Sequence, residues 1–138
     1  MYPRGTLRRC ALVLLLSLVA RSIASAQASA AAVWQATPAS VLKNTLRTVT
    51  AAELRYFQSK KTYAAGIDAL SLQPEHDVQV QILGAGPQGW QARATHRLQP
   101  GKSCVIFVGR VDGMESPRTD EDHEMAGEEG VPICDWMR

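Results

Sequence analysis

The side chains most capable of chemistry in this 138-residue chain gather near its C-terminal end. Asp112, Asp120, Asp122 and Glu124, with Glu121, Glu128 and Glu129 among and after them, make an acidic run. Hard cations such as Ca2+ take roughly six to eight oxygen ligands, and a loop closed at its base can supply several. The glycines and glutamates do not fall where the helix–loop–helix calcium pattern needs them. The run therefore reads as a Ca2+ site of another kind or as a solvated acidic loop. His76, His96 and His123 are the only histidines, and neither a His-x-x-x-His nor a Cys-x-x-Cys pair is present. That argues against a structural zinc site. No serine stands in a Gly-x-Ser-x-Gly setting, so the usual nucleophile elbow is missing. The stretch GAGPQG, residues 84–89, resembles a dinucleotide-binding glycine motif. It is followed by Trp90 and an alternating pattern, whereas pyrophosphate binding needs a helix N-terminus at that place. It reads as a hairpin turn, and no enzymatic activity is expected.

These residues need a scaffold, and the N-terminal segment is not part of it. Arg4, Arg8 and Arg9 precede the apolar run CALVLLLSLVA and the small-residue stretch RSIASAQASA. That order is the one found in a secretory signal peptide. The apolar run is too short to span a bilayer. Cleavage is expected after Ala26, with Ala28 and Ala30 as further small-residue positions, giving a leader over 1–26 and a linker over 27–37. A secreted or periplasmic location follows, with no membrane span after processing. Cys104 and Cys134 then remain as an even pair in an exported chain, which predicts a disulfide. Closing such a loop stabilises by about 3–4 kcal/mol on the chain-entropy model.

The charge is unevenly divided. The full chain carries +2, but residues 27–111 hold nine Lys/Arg against four Asp/Glu, and residues 112–138 hold two against nine. A basic stripe interleaved with aromatics is not evident, which argues against nucleic-acid binding. Partners are expected to be other proteins or an extracellular surface, met through electrostatic docking.

The hydrophobic pattern supplies the elements. Thr37 can cap a helix and Pro38 suits its first position. Leu42, Leu46, Val49, Ala52 and Tyr56 recur at steps of 4, 3, 3 and 4, one stripe on one helical face. The helix is predicted over 38–61, ending where Lys60 and Lys61 complement its carbonyl end. GIDALSL allows one further turn before Pro74. The period then changes to two: DVQVQIL, WQARATHR and CVIFVG read as strands over 77–109. The fold class is α+β, one long helix on a three-stranded antiparallel meander, followed by an acidic loop over 110–133 tied back by Cys104 and Cys134.

With these elements in place, AAELRYFQSKKTYAAGIDAL resembles the end of the long helix in type IV pilins and type II secretion pseudopilins. Ala51, Ala52 and Glu53 stand at the small–small–acid step, followed by Tyr56 and Phe57, then Tyr63 and Leu70. GPQGWQARATH and the cysteine-bearing GVPICD also resemble the globular head of that family. The resemblance covers roughly residues 40–135. The chain lacks the prepilin N-terminal segment, the apolar half-helix with a glutamate near its start. The resemblance implies a pilin-like head over 38–138 and an accessory place in pilus or secretion assembly. It also implies that the C-terminal loop is where Ca2+ would sit. Tyr56, which continues the helix stripe, Phe57 and Tyr63, which can cap the open end of the sheet-facing core, and Trp90 are read as structural.

Overall fold

The computed structural model describes residues 36–138. The expected signal peptide and most of the linker lie outside the described residues. The chain builds helix α1 (Pro38–Lys60), a single 3-10 turn (Ile67–Leu70) and strands β1 (Val78–Gly86), β2 (Gly89–His96), β3 (Ser103–Gly109) and β4 (Ile133–Cys134). No helix among the described residues is long and apolar enough to cross a membrane.

Helix α1 starts and stops for local reasons. The Thr37 hydroxyl accepts a hydrogen bond from the Ser40 N–H at 3.3 Å, and Pro38 occupies the first turn, where its missing N–H leaves no gap. At the other end Lys61 turns left-handed, with φ at 60°, and its N–H donates to the Phe57 carbonyl. The periodic stripe is the buried one: Leu42, Leu46, Val49 and Ala52 are closed off from solvent, and Leu54 is left exposed. Glu53 is buried beside them. The Phe57 and Tyr63 rings stack at 4.7 Å between centroids, where the chain leaves the helix, and Tyr56 packs against the core's edge.

The sheet has the order β1-β2-β3-β4, antiparallel throughout. Trp90, Ala92, Ala94, Cys104 and Ile106 point to the helix and complete the core. The alanines of β2 let the helix sit close over the middle of the sheet.

Two expectations need correction. The sheet has four strands, because Cys104 lies opposite Cys134 and the short β4 pairs there with β3. The residues Gly84, Ala85, Gly86 and Gly89 belong to strands, so Pro87 and Gln88 alone make the turn. Glycine is needed there for close approach: a Cβ on Gly89 would run into the Val108 carbonyl and the Arg110 N–H. The face away from the helix is also covered over β2 and β3, while Gln79 and Gln81 of β1 stay exposed there. Val105, Ser103 and Gln91 point away from the helix and are buried, because residues 110–132 fold over that side. Gln91 Nε2 donates to the Glu115 carbonyl at 2.7 Å, and Gly130 N–H donates to the Phe107 carbonyl at 2.8 Å. Periodicity does not register such a layer, since it holds on through polar side chains and main-chain bonds.

Candidate functional site: the acidic loop and the basic helix face

Strand β4 is only two residues long, and Asp135 follows it directly. The disulfide between Cys104 and Cys134 fixes this end of the chain against the start of β3. The Asp135 N–H donates to the Ser103 carbonyl at 3.0 Å, and the Ser103 N–H returns a bond to Asp135 Oδ2 at 2.7 Å. Into the same carboxylate the loop sends the N–H of Asp122 at 2.8 Å and the N–H of Glu121 at 3.2 Å. The Asp120 N–H donates to Ser103 Oγ at 2.9 Å. Asp135 is 2 % exposed. Burial pushes its carboxyl up, but the N–H groups of Asp122, Ser103 and Glu121 and the Thr119 hydroxyl together outweigh that and hold it below the ordinary 3.8. Converging main-chain N–H groups form an anion-binding concavity. The backbone of this acidic loop is thus an anion site, filled by the protein's own aspartate.

The side chains around it are partnered as well. Arg93 Nη1 meets Asp120 Oδ1 at 2.9 Å, and Lys102 Nζ meets Glu121 Oε2 at 2.9 Å. Asp122 Oδ2 accepts from the Trp136 N–H at 3.1 Å. Lys102 Nζ also donates to the Trp136 carbonyl. The Lys102 and Arg138 cations both lie over the Trp136 ring, which is 63 % exposed.

Of the residues considered for Ca2+, the structure brings Asp120 and Asp122 together at the Ser103 end of β3. Asp112 sits at the opposite end of that strand, lining a cleft at the β1–β2 turn with Pro87, Gln88 and Arg110. Glu124 is exposed, its main chain paired with Thr119. Among the described residues no three His, Cys, Asp or Glu side chains are grouped to hold a metal ion. His76 and His96 line a shallow cleft beside the Asp77–Arg97 ion pair. The hydrogen bond from Arg97 holds the Asp77 carboxyl below its ordinary value.

Opposite the acidic loop, across the sheet, the solvent side of α1 carries Arg47 and Arg55 with Lys43 half-buried beside them, and Lys60 and Lys61 are exposed at its C-terminal end. The one acid on the helix, Glu53, faces inward. Its Oε2 accepts the Ala64 N–H at 2.8 Å, and its Oε1 has no partner. Burial pushes the Glu53 carboxyl up, with the Ala64 bond acting against the shift. Sequence reasoning missed Asp135, the enclosure of Glu53 and the basic face. The last was available, since residues 43, 47 and 55 fall on one side of a 3.6-residue helix, while Asp135 carried no local signal.

Comparison with known proteins gives no family for this chain: no family profile matches it, and no curated protein matches it.

Proposed function

We propose that this is an exported, non-enzymatic binding module that works through protein–protein or surface contacts, as an accessory to an assembly of the pilus or type II secretion kind. The observation that carries the reading is the division of charge between two opposed faces. The helix presents arginines and lysines without an exposed acid, and the far side presents a loop of carboxylates held in place by Asp135. Two of the carboxylates that a metal centre would use, Asp120 and Asp122, are engaged in bonds that build the fold. The disulfide suits an oxidising compartment outside the cytoplasm. A helix followed by an antiparallel meander and a disulfide-tied loop is the arrangement that the pilin-like resemblance calls for. Charged faces of this sort set encounter rate and orientation more than affinity.

The test is cross-linking in the producing cell, comparing the parent with the triple variant K43E/R47E/R55E. The parent yields a discrete cross-linked protein, and the variant loses it while keeping its melting temperature. Undiminished cross-linking by the variant would remove the helix face from the reading. Absence of a discrete product from the parent would overturn the binding-module assignment. Recovery of nucleic acid or lipid in place of protein would do the same. N-terminal sequencing of the exported protein checks the leader, with a mature start near Gln27 expected.

A further inference from the structure

Residues 61–77 carry the chain from the end of α1 back to β1 and form a strap beside that strand. Among the described residues, two hydrogen bonds join residues 62–74 to the rest of the molecule, and adjacent residues make them. The Tyr63 N–H donates to the Gly86 carbonyl at 3.2 Å, and the Ala64 N–H donates to Glu53 Oε2 at 2.8 Å. The bonds from Ala69 to Gly66 and from Ser71 to Asp68 stay inside the strap. Ala64 and Leu70 are buried, and Ile67 and Leu72 pack against the core's edge. Between Thr48 and Val49 of the helix and Ile67, Leu72 and Pro74 of the strap lies a cleft of about 170 Å³. Lys61, with φ at 60°, and Ser71, with φ at 52°, both hold a side chain in the left-handed region. Few bonds and incomplete packing are the marks of a segment that opens locally, ahead of the fold as a whole.

Glu53 is 0 % exposed, and its Oε1 has no partner. The elements packed on the buried side of α1 offer it no counter-charge. Strands β2 and β3 turn Trp90, Ala92, Ala94, Cys104 and Ile106 toward the helix, and Cys134 of β4 is held in the disulfide. Asp68, Glu75 and His76 of the strap are exposed, as are Arg55, Lys60 and Lys61 around the helix end. Tyr56 and Tyr63 lie at the core's edge, and neither hydroxyl is bonded to the carboxyl. A neutral carboxyl with one idle oxygen costs far less in such a site than an ionised one. We propose that Glu53 is a pH-sensitive latch: protonated, it stays enclosed and holds Ala64, and ionised, it seeks water and releases the strap from α1. The closed form favours the neutral carboxyl, because burial pushes it above the ordinary 4.5 that the open form restores. The latch therefore holds in full below pH 4.5 and weakens as pH rises through the closed form's higher value. Release frees the Gly86 carbonyl, so acidity governs how far that end of β1 is covered. The arginines of α1 and the acidic loop take no part, so the latch stands or fails independently of the proposed function.

The test is hydrogen exchange of the exported protein, read amide by amide from about pH 4 to about pH 8 and corrected for the intrinsic rate. Protection at Tyr63 and Ala64 is expected to fall about tenfold or more over that range, since one linked proton changes opening by at most about tenfold per pH unit. It should also lie well below protection at Ile106, which is buried in the middle of the sheet. Glu53→Gln keeps an acceptor for Ala64 and cannot ionise, so protection at both amides should become independent of pH. Glu53→Leu covers the case in which E53Q fails to fold. It removes the acceptor, so both amides exchange faster at every pH, again without a pH slope. Protection at Ala64 that is flat with pH in the parent overturns the proposal. So does a slope that both variants share with the parent. Equal protection at Ala64 and Ile106 also overturns it, because the strap would then open only with the whole fold.

Discussion

Two buried carboxyls at opposite sides of the sheet give this protein opposed responses to pH. Asp135 is held below its ordinary value by the N–H groups it receives, so its contribution is present above pH 3.8 and is lost as pH falls through the lower native value. Glu53 is pushed above its ordinary 4.5 by burial. Its protonated form suits the native state, so that contribution is full below 4.5 and is lost as pH rises through the higher native value. Asp135→Asn removes a charged acceptor from several N–H groups and should cost about 2–4 kcal/mol at neutral pH, measured by urea unfolding. Its acid-side loss of stability should flatten as well. Glu53→Gln keeps an oxygen for Ala64 and should flatten the decline on the neutral side. A pH–melting profile of E53Q parallel to that of the parent would show that Glu53 titrates normally.

Element boundaries rest on two backbone positions. Lys61 carries a side chain in the left-handed region at the end of α1, a conformation in which glycine is more at ease. Lys61→Gly is therefore expected to stabilise by about 0.5–1 kcal/mol, raising the melting temperature by a few degrees. Gly89→Ala should do the reverse, because the new methyl meets the backbone of Val108 and Arg110. Loss of the folded transition, or a marked drop in it, is the expected result, and an unchanged transition would mean that the β1–β2 turn can open. The helix stripe and the alternation of β1 to β3 were legible in the sequence because each repeats a single environment every turn or every second residue. The strand character of Gly84–Gly86 was hidden, since glycine carries no side chain to show alternation and its pairing is made by backbone alone.

At the scale of the whole molecule, the disulfide and Asp135 act in series. Cys104→Ser should lower stability by about 3–4 kcal/mol under oxidising conditions, as read from chemical denaturation. It should also raise hydrogen exchange at Glu121 and Asp122, whose N–H groups depend on the position of Asp135. Identical unfolding of variant and parent would show that the bridge holds nothing. Calcium offers a separate check on the acidic loop. With Asp120 paired to Arg93, Asp122 to Trp136 and Asp112 at the other end of β3, millimolar Ca2+ should produce no binding heat and no rise in melting temperature. A saturable heat would restore the loop as a metal site.

The sequence by itself determined the helix from its cap to its basic end, the three long strands, the α+β class and the cysteine pair. Each of these is written in local period, local charge or residue type. Only the tertiary structure decided that the acidic run is a fitted layer over the second face of the sheet, and that Asp135 organises it. It likewise decided that Glu53 is enclosed and that β4 exists. Those features depend on contacts between residues far apart in the chain. A carboxylate surrounded by backbone N–H groups leaves no periodic trace in the sequence, because its partners are main-chain atoms common to every residue.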